Sequence, residues 1–215
     1  MQSELGVQTS GSSPFYTKQM ALAAMKEVCD EQQFTTVADI GGGKGELSML
    51  LAAIVRQVWL VDHSPPGDND LPSNVTMVKA DLNFPWPIPD SRIDFAFSLE
   101  CIEHVENPRH FMREMRRIIR PGGYAFISTP NNHSWSSKLT FLLRGQHRFF
   151  QEASYPAHIS ALLRCDLERM AQECNLKLLG WSYSNQDTLP RVHWRYHLRG
   201  SAFSDVLGVL LRKLE

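Results

Sequence analysis

The run Asp39-Ile-Gly41-Gly-Gly43-Lys-Gly45 follows an apolar, β-type segment and opens a helical one. In that setting glycines let a ligand approach the main chain, and the first N–H groups of the helix face it. The usual phosphate signatures do not fit. The dinucleotide spacing Gly-x-Gly-x-x-Gly needs glycine at 46, where the chain has Glu46, and a phosphate loop needs Ser or Thr after its lysine, where Gly45 follows Lys44. Asp39, two residues ahead of the first glycine, would repel a pyrophosphate and attract a cation. Asp62 closes the next apolar segment, where a carboxylate can accept from both hydroxyls of a ribose, and Asp81 closes the one after that. Acids at strand ends also serve as caps and turn residues, but three in succession beside a glycine loop point to a ligand.

A second constellation is Glu100-x-x-Glu103-His104, with His133 and His158 further on. Histidine titrates near neutrality, so His104, His133 and His158, together with Glu103, are candidates for a general base. Two carboxylates and an imidazole within five residues are also a candidate site for a divalent ion, with Glu100, Glu103 and His104 as ligands. A purely structural use, acids near a helix start, is the other reading.

These residues require a scaffold that brings strand ends together. Apolar periodicity predicts a helix over 15–33, then strands over 36–40, 58–61, 75–78, 93–99 and 124–128, with helices over 46–54 and 108–119 between them. Asn107 before Pro108 is a helix start and Pro121-Gly-Gly123 a stop. Alternating prolines in 84–89 exclude helix and central strand there. After Pro130 the rhythm breaks into about thirty residues, 131–160, too long for an ordinary connection and so a lid or substrate segment. A helix over 166–173 and strands over 177–183 and 206–211 end the chain. The repeat of strand and helix predicts a doubly wound, mostly parallel α/β sheet with its ligand at the carboxyl ends of the strands.

Taken in order, 37–45, Asp62, Ala80-Asp-Leu82, Ile93-Asp-Phe-Ala-Phe97, Glu100-Cys-Ile-Glu-His-Val105, Arg120-Pro-Gly-Gly123 and Ser128-Thr-Pro-Asn131 resemble the class I, Rossmann-like S-adenosylmethionine-dependent methyltransferases. The likeness is greatest to the small bacterial members related to ubiquinone-type O-methyltransferases. It implies a seven-stranded sheet whose last strand is antiparallel. It also implies S-adenosylmethionine as methyl donor, with S-adenosylhomocysteine as product, lying over Gly41, Gly43 and Gly45. Asp39 would face its charged end, Asp62 with the adjoining His63 its ribose, Asp81 and Leu82 its adenine, and Glu100 its methionine end. Some relatives use the Glu-x-x-Glu-His run with magnesium, one group adding a later histidine for which His158 is the nearest analogue as a ligand, so Mg2+ is an alternative to plain acid–base chemistry. No role attaches to Gly42, where the family varies. The implied reaction is in-line methyl transfer to a small or amphiphilic acceptor, at oxygen first and at nitrogen or carbon otherwise. The alternative is a non-catalytic protein of the same fold that binds the donor, and a nicotinamide oxidoreductase is disfavoured by the glycine spacing.

Composition sets the outer bounds. The chain has 215 residues, 43% hydrophobic and 21% charged, which suits one domain over 15–215 behind a polar, flexible start over 1–14. Net charge is −1, against a dedicated duplex nucleic-acid binder. The four cysteines are scattered and read as reduced thiols, and neither a signal peptide nor a membrane span is read, so a cytoplasmic location is expected. The aromatic, basic insertion has two readings. It is a lid that packs its apolar face on the sheet, or a basic amphipathic helix making peripheral contact with lipid or an amphiphilic acceptor. Alternating Arg191, His193, Arg195, His197 and Arg199 form either a cationic strand face or a solvated edge.

Overall fold

The computed structural model describes residues 13–29, 33–66, 71–185 and 200–215. The alternating cationic run 191–199 lies outside them, as does most of the polar start. Five parallel strands form in chain order: β1 (Thr36–Ile40), β2 (Gln57–Asp62), β3 (Val75–Lys79), β4 (Ile93–Leu99) and β5 (Ile119–Pro130). They are joined by β6 (Leu176–Tyr183) and β7 (Val206–Lys213) in the order β3-β2-β1-β4-β5-β7-β6. Among the described strands only β7 runs antiparallel to its neighbours. The sheet expected from the sequence is therefore present, last strand included.

β4 has all seven residues buried, as a strand covered on both faces must. Its side chains divide between two cores. Phe95, Phe97 and Leu99 meet α1 (Phe15–Cys29) and α2 (Glu46–Ala52) on one side, and Ile93 and Ala96 meet α3 (Pro108–Ile118) and α5 (Arg164–Glu173) on the other. α3 starts where the sequence places it, with Pro108 in its first turn and the Asn107 side chain accepting from His110 N at 2.9 Å. It ends at Ile118, just ahead of the expected stop, and Pro121-Gly122 form a bulge inside β5, whose pairing with β4 begins at Ile119 and shifts register before Tyr124. α2 ends at Ala52, a little short of the expected bound, and α1 is described as far as Cys29.

The insertion holds α4 (Trp135–Arg144) and a short 3-10 turn at Glu152–Ser154. Here the lid reading needs correction. Ser136 and Ser137 are the buried residues of α4, while Trp135, Leu139, Phe141, Leu142 and Leu143 are exposed. The polar side faces inward because it has partners there. Arg148 donates to Ser136 Oγ at 2.9 Å and to Asp205 at 3.1 Å, and Ser137 Oγ lies 3.1 Å from His147 Nδ1. Among the described residues no helix is long and apolar enough to cross a membrane.

Candidate functional site

β1 is flanked by β2 on one side and β4 on the other, and the chain reverses its winding direction between them. Loops leaving the carboxyl ends of β1 and β4 diverge there and open a crevice. The glycine run fills the first of these loops, and its geometry explains its composition. Gly41, Gly43 and Gly45 have φ of 74°, 53° and 76°, which side-chain-bearing residues seldom adopt. A Cβ on Gly41 would sit 2.3 Å from Cys101 Sγ, so the β1 and β4 loops touch through that glycine. Gly42, given no role from the sequence, has ordinary φ but no room, since a Cβ would lie 2.6 Å from Asp39 Oδ2 and 2.3 Å from Leu60. The loop is thus a glycine cradle whose main chain packs directly on Cys101, Asp39 and Leu60.

Asp39 lies under this loop, 2% exposed, and accepts from Ser48 Oγ at 2.8 Å. Burial pushes its carboxyl up to about 6; the Ser48 bonds oppose this and the negative charge of Asp62 adds to it. At neutral pH it is a buried anion, and the positive charge of Lys18 helps to hold it. Asp62 receives Gly43 N on one oxygen and Ser64 N on the other, both at 2.9 Å. Each oxygen keeps a second lone pair for a further donor. His63 is exposed beside it. Asp81 uses one oxygen to cap its own turn, accepting from Asn83 N and Nδ2, and Leu82 is buried next to it.

The sequence does not signal the far wall of this crevice. A cleft beside Asp39, Gly41 and Gly42 is closed by Ser13, Lys18, Lys44, Glu46, Leu47 and Leu99. Ser13 Oγ donates to Leu99 O at 3.1 Å, which fixes the start of α1 over the loop. Lys18 is 7% exposed and forms an ion pair with Glu46. A lysine in a helix normally reads as solvated, so only the packing of α1 discloses it.

Glu100 follows β4 with φ of 50°, a strained conformation for a side-chain-bearing residue. Its carboxyl accepts from Ser128 Oγ at 3.0 Å and is pushed up to about 7, mainly by desolvation, with the nearby Asp205 adding to the rise. The 3-10 turn Ile102–His104 comes next. Glu103 is fully buried, and desolvation first and Glu100 second hold its carboxyl well above the usual range. Its Oε2 accepts from Thr129 Oγ1 at 3.0 Å while Oε1 has no partner among the described residues. Ile159 N and Ser160 N both donate to Glu103 O at 3.0 Å, pinning the end of the insertion onto the turn.

That closure brings His158 to His104, with ring centroids 4.8 Å apart. His104 Nδ1 lies 2.8 Å from Ala157 O and His158 Nδ1 2.8 Å from Phe149 O. A carbonyl only accepts, so both Nδ1 atoms carry the proton and each Nε2 keeps its lone pair. Burial lowers the pKa of both rings and favours this neutral form. One ligand atom from each of Glu103, His104 and His158 lies within 4.8 Å of the others. Glu100, expected with them, is not in this group. His133 stands apart too, because its Nε2 accepts from Arg164 N at 3.2 Å and its lone pair is spent at the start of α5.

Residues 17–180 match a family model described as a methyltransferase domain. A protein of Mycobacterium tuberculosis named a probable S-adenosylmethionine-dependent methyltransferase is 32% identical over 46% of this chain and 37% of its own length. The ubiquinone biosynthesis O-methyltransferase of Maricaulis maris is 32% identical over 60% of this chain and 56% of its own. The chain thus spans less than two thirds of the curated relatives it matches. Among solved structures, the 1,6-didemethyltoxoflavin-N1-methyltransferase of Burkholderia thailandensis, bound to 1,6-didemethyltoxoflavin and S-adenosylhomocysteine, superimposes with a TM-score of 0.64. It covers 94% of this chain and 79% of that one at 13% identity, which is a likeness of fold. Since the methyltransferase model extends over most of the residues that build the sheet and the crevice, the chain belongs to the class I S-adenosylmethionine-dependent methyltransferases.

Proposed function

We propose that this chain transfers the methyl group of S-adenosylmethionine to an oxygen of a small or amphiphilic acceptor. The observation that carries the proposal is a buried carboxylate with two neutral imidazoles, Glu103, His104 and His158, directly after the residue that packs on the glycine cradle. The donor, when bound, supplies an electrophilic methyl carbon on a sulfonium and carries no phosphate. The residues present fit it: each Asp62 oxygen keeps a lone pair for a hydroxyl donor, and the buried Asp39 carboxylate would gain a second counter-charge beside Lys18. Lys18 would hold the carboxylate of its amino-acid end and Asp62 its ribose hydroxyls. Asp81 and Leu82 would border its base, with His63 beside Asp62 at the ribose. What remains for the protein is alignment and exclusion of water. His104 or His158 would accept the hydroxyl proton of the acceptor at its unprotonated Nε2.

A second reading of the same group is supported by the unpartnered Glu103 Oε1. Two imidazole nitrogens whose Nδ1 protons are fixed by carbonyls, with one carboxylate oxygen, form a ligand set suited to zinc, manganese or iron. Magnesium prefers oxygen ligands and retained waters, so it suits these three side chains less well. The test is calorimetric titration with S-adenosylmethionine and S-adenosylhomocysteine, with and without zinc or manganese, followed by a methylation screen of hydroxyl-bearing acceptors. Donor binding with turnover abolished in His104→Ala supports the reading. Absence of donor binding by folded protein refutes it. Retained activity in the presence of a chelator assigns His104 to proton transfer instead of metal binding.

A further inference from the structure

α4 exposes the side that a globular helix normally hides. Trp135, Leu139, Leu142 and Leu143, at i, i+4, i+7 and i+8, form one continuous strip and are 56%, 45%, 80% and 73% exposed. The helix is nevertheless held firmly in place. Ser134 caps its start by accepting from Ser137 N, Gly145 closes its end at φ of 71°, and its serine side is tied to Arg148 and His147. An ordered helix with an outward apolar strip marks an interaction surface.

The charges around the strip indicate what covers it. The sequence has no Asp or Glu between Glu114 and Glu152, whereas Lys138 and Arg144 are exposed on α4 itself. Lys138 Nζ lies 6.0 Å from the Trp135 ring, so an aromatic and a cation meet at the edge of the strip. Pairing this face with that of a second copy would set Lys138 and Arg144 near their own counterparts with no carboxylate on α4 to balance them. An anionic bilayer suits every part of the surface, taking the leucines into its acyl boundary, the indole at the interface and the cations among its phosphates.

We propose that α4 seats this protein on an anionic membrane surface. The inference rests on the α4 face alone; joined to the methyl-transfer reading, it makes the acceptor an amphiphile resident in the bilayer. Because the insertion also carries His158 onto Glu103 and His104, membrane seating and the proton-accepting group belong to one segment.

The experiment is co-sedimentation of the full chain with vesicles of phosphatidylcholine containing roughly a third phosphatidylglycerol, and with pure phosphatidylcholine, at physiological salt. Wild type should partition into the anionic vesicles at least roughly tenfold more strongly. Leu142→Glu with Leu143→Glu, and separately Lys138→Glu with Arg144→Glu, should each lower that partition by a similar factor. These side chains are exposed, so melting temperature and donor binding by calorimetry should not change. Trp135 emission should shift to the blue on anionic vesicles, and Trp135→Phe should remove that shift. Failure of wild type to bind anionic vesicles, or undiminished binding by the leucine variant, overturns the proposal. So does self-association that the leucine variant abolishes without any vesicle binding, which would assign the face to a second copy. Donor binding that persists while vesicle binding fails overturns this proposal and leaves the methyl-transfer reading standing.

Discussion

Replacing Asp39 with asparagine keeps the shape of the side chain and an oxygen that can accept from Ser48 Oγ, 2.8 Å away, but removes the charge. Burial raises this carboxyl from 3.8 to about 6 in the folded protein. Between those values the folded state retains a proton that the unfolded chain has released, so stability falls as pH rises through the window. Above it the full cost of holding the buried anion is present, about 3 kcal/mol at 1.36 kcal/mol per pKa unit. The variant should therefore exceed wild type in urea unfolding by about 1 kcal/mol at pH 4.5 and about 3 kcal/mol at pH 8. The same substitution should weaken S-adenosylmethionine binding at pH 8 by at least roughly tenfold, because the donor's positive charge loses its buried counter-charge. Wild-type binding near pH 6 should release a proton, seen in calorimetry as a dependence on buffer ionisation enthalpy. A variant equally stable or less stable than wild type at pH 8, or a stability difference that does not grow with pH, would refute the reasoning.

Gly41→Ala combines a positive φ with a Cβ placed 2.3 Å from Cys101 Sγ, so it should cost about 2–4 kcal/mol in urea unfolding, with part recovered when Cys101→Gly is added. Asp62→Ala should weaken donor binding by about 1–3 kcal/mol in calorimetry, and unchanged affinity in a folded variant would remove Asp62 from the donor site. Asp94 accepts from Thr35 N, Thr36 N and Arg120 Nε, and these bonds hold its carboxyl below its usual value despite partial burial. Its contribution is full above pH 4 and lost as pH falls through the lowered value. Asp94→Ala should therefore destabilise by about 2–4 kcal/mol at pH 7 and less at pH 3, as measured by thermal unfolding.

Much of the proposed donor site was legible in the sequence because it is local. The glycine run, the acids at strand ends and the Asn107-Pro108 helix start depend on covalent neighbours and on the periods of strand and helix, which a chain carries before it folds. The order of β/α units likewise implied a doubly wound sheet with a crevice at its carboxyl edge. Lys18 was not legible, since nothing near it distinguishes a lysine that packs over the glycine loop from one in water. The sequence grouped both Glu100 and His158 with Glu103 and His104 as ligands and offered His133 as a base, and it took the tertiary structure to separate them. His158 arrives because Ile159 N and Ser160 N return to Glu103 O, and His133 is drawn away by Arg164 N. The apolar side of α4 was visible as a period, but its direction was not. Serines bound to Arg148 and His147, with Arg148 anchored on Asp205, turn that side outward. A period reports that a helix has two faces; which face is buried depends on hydrogen bonds to residues distant in the chain, and these exist only once the sheet has brought them together.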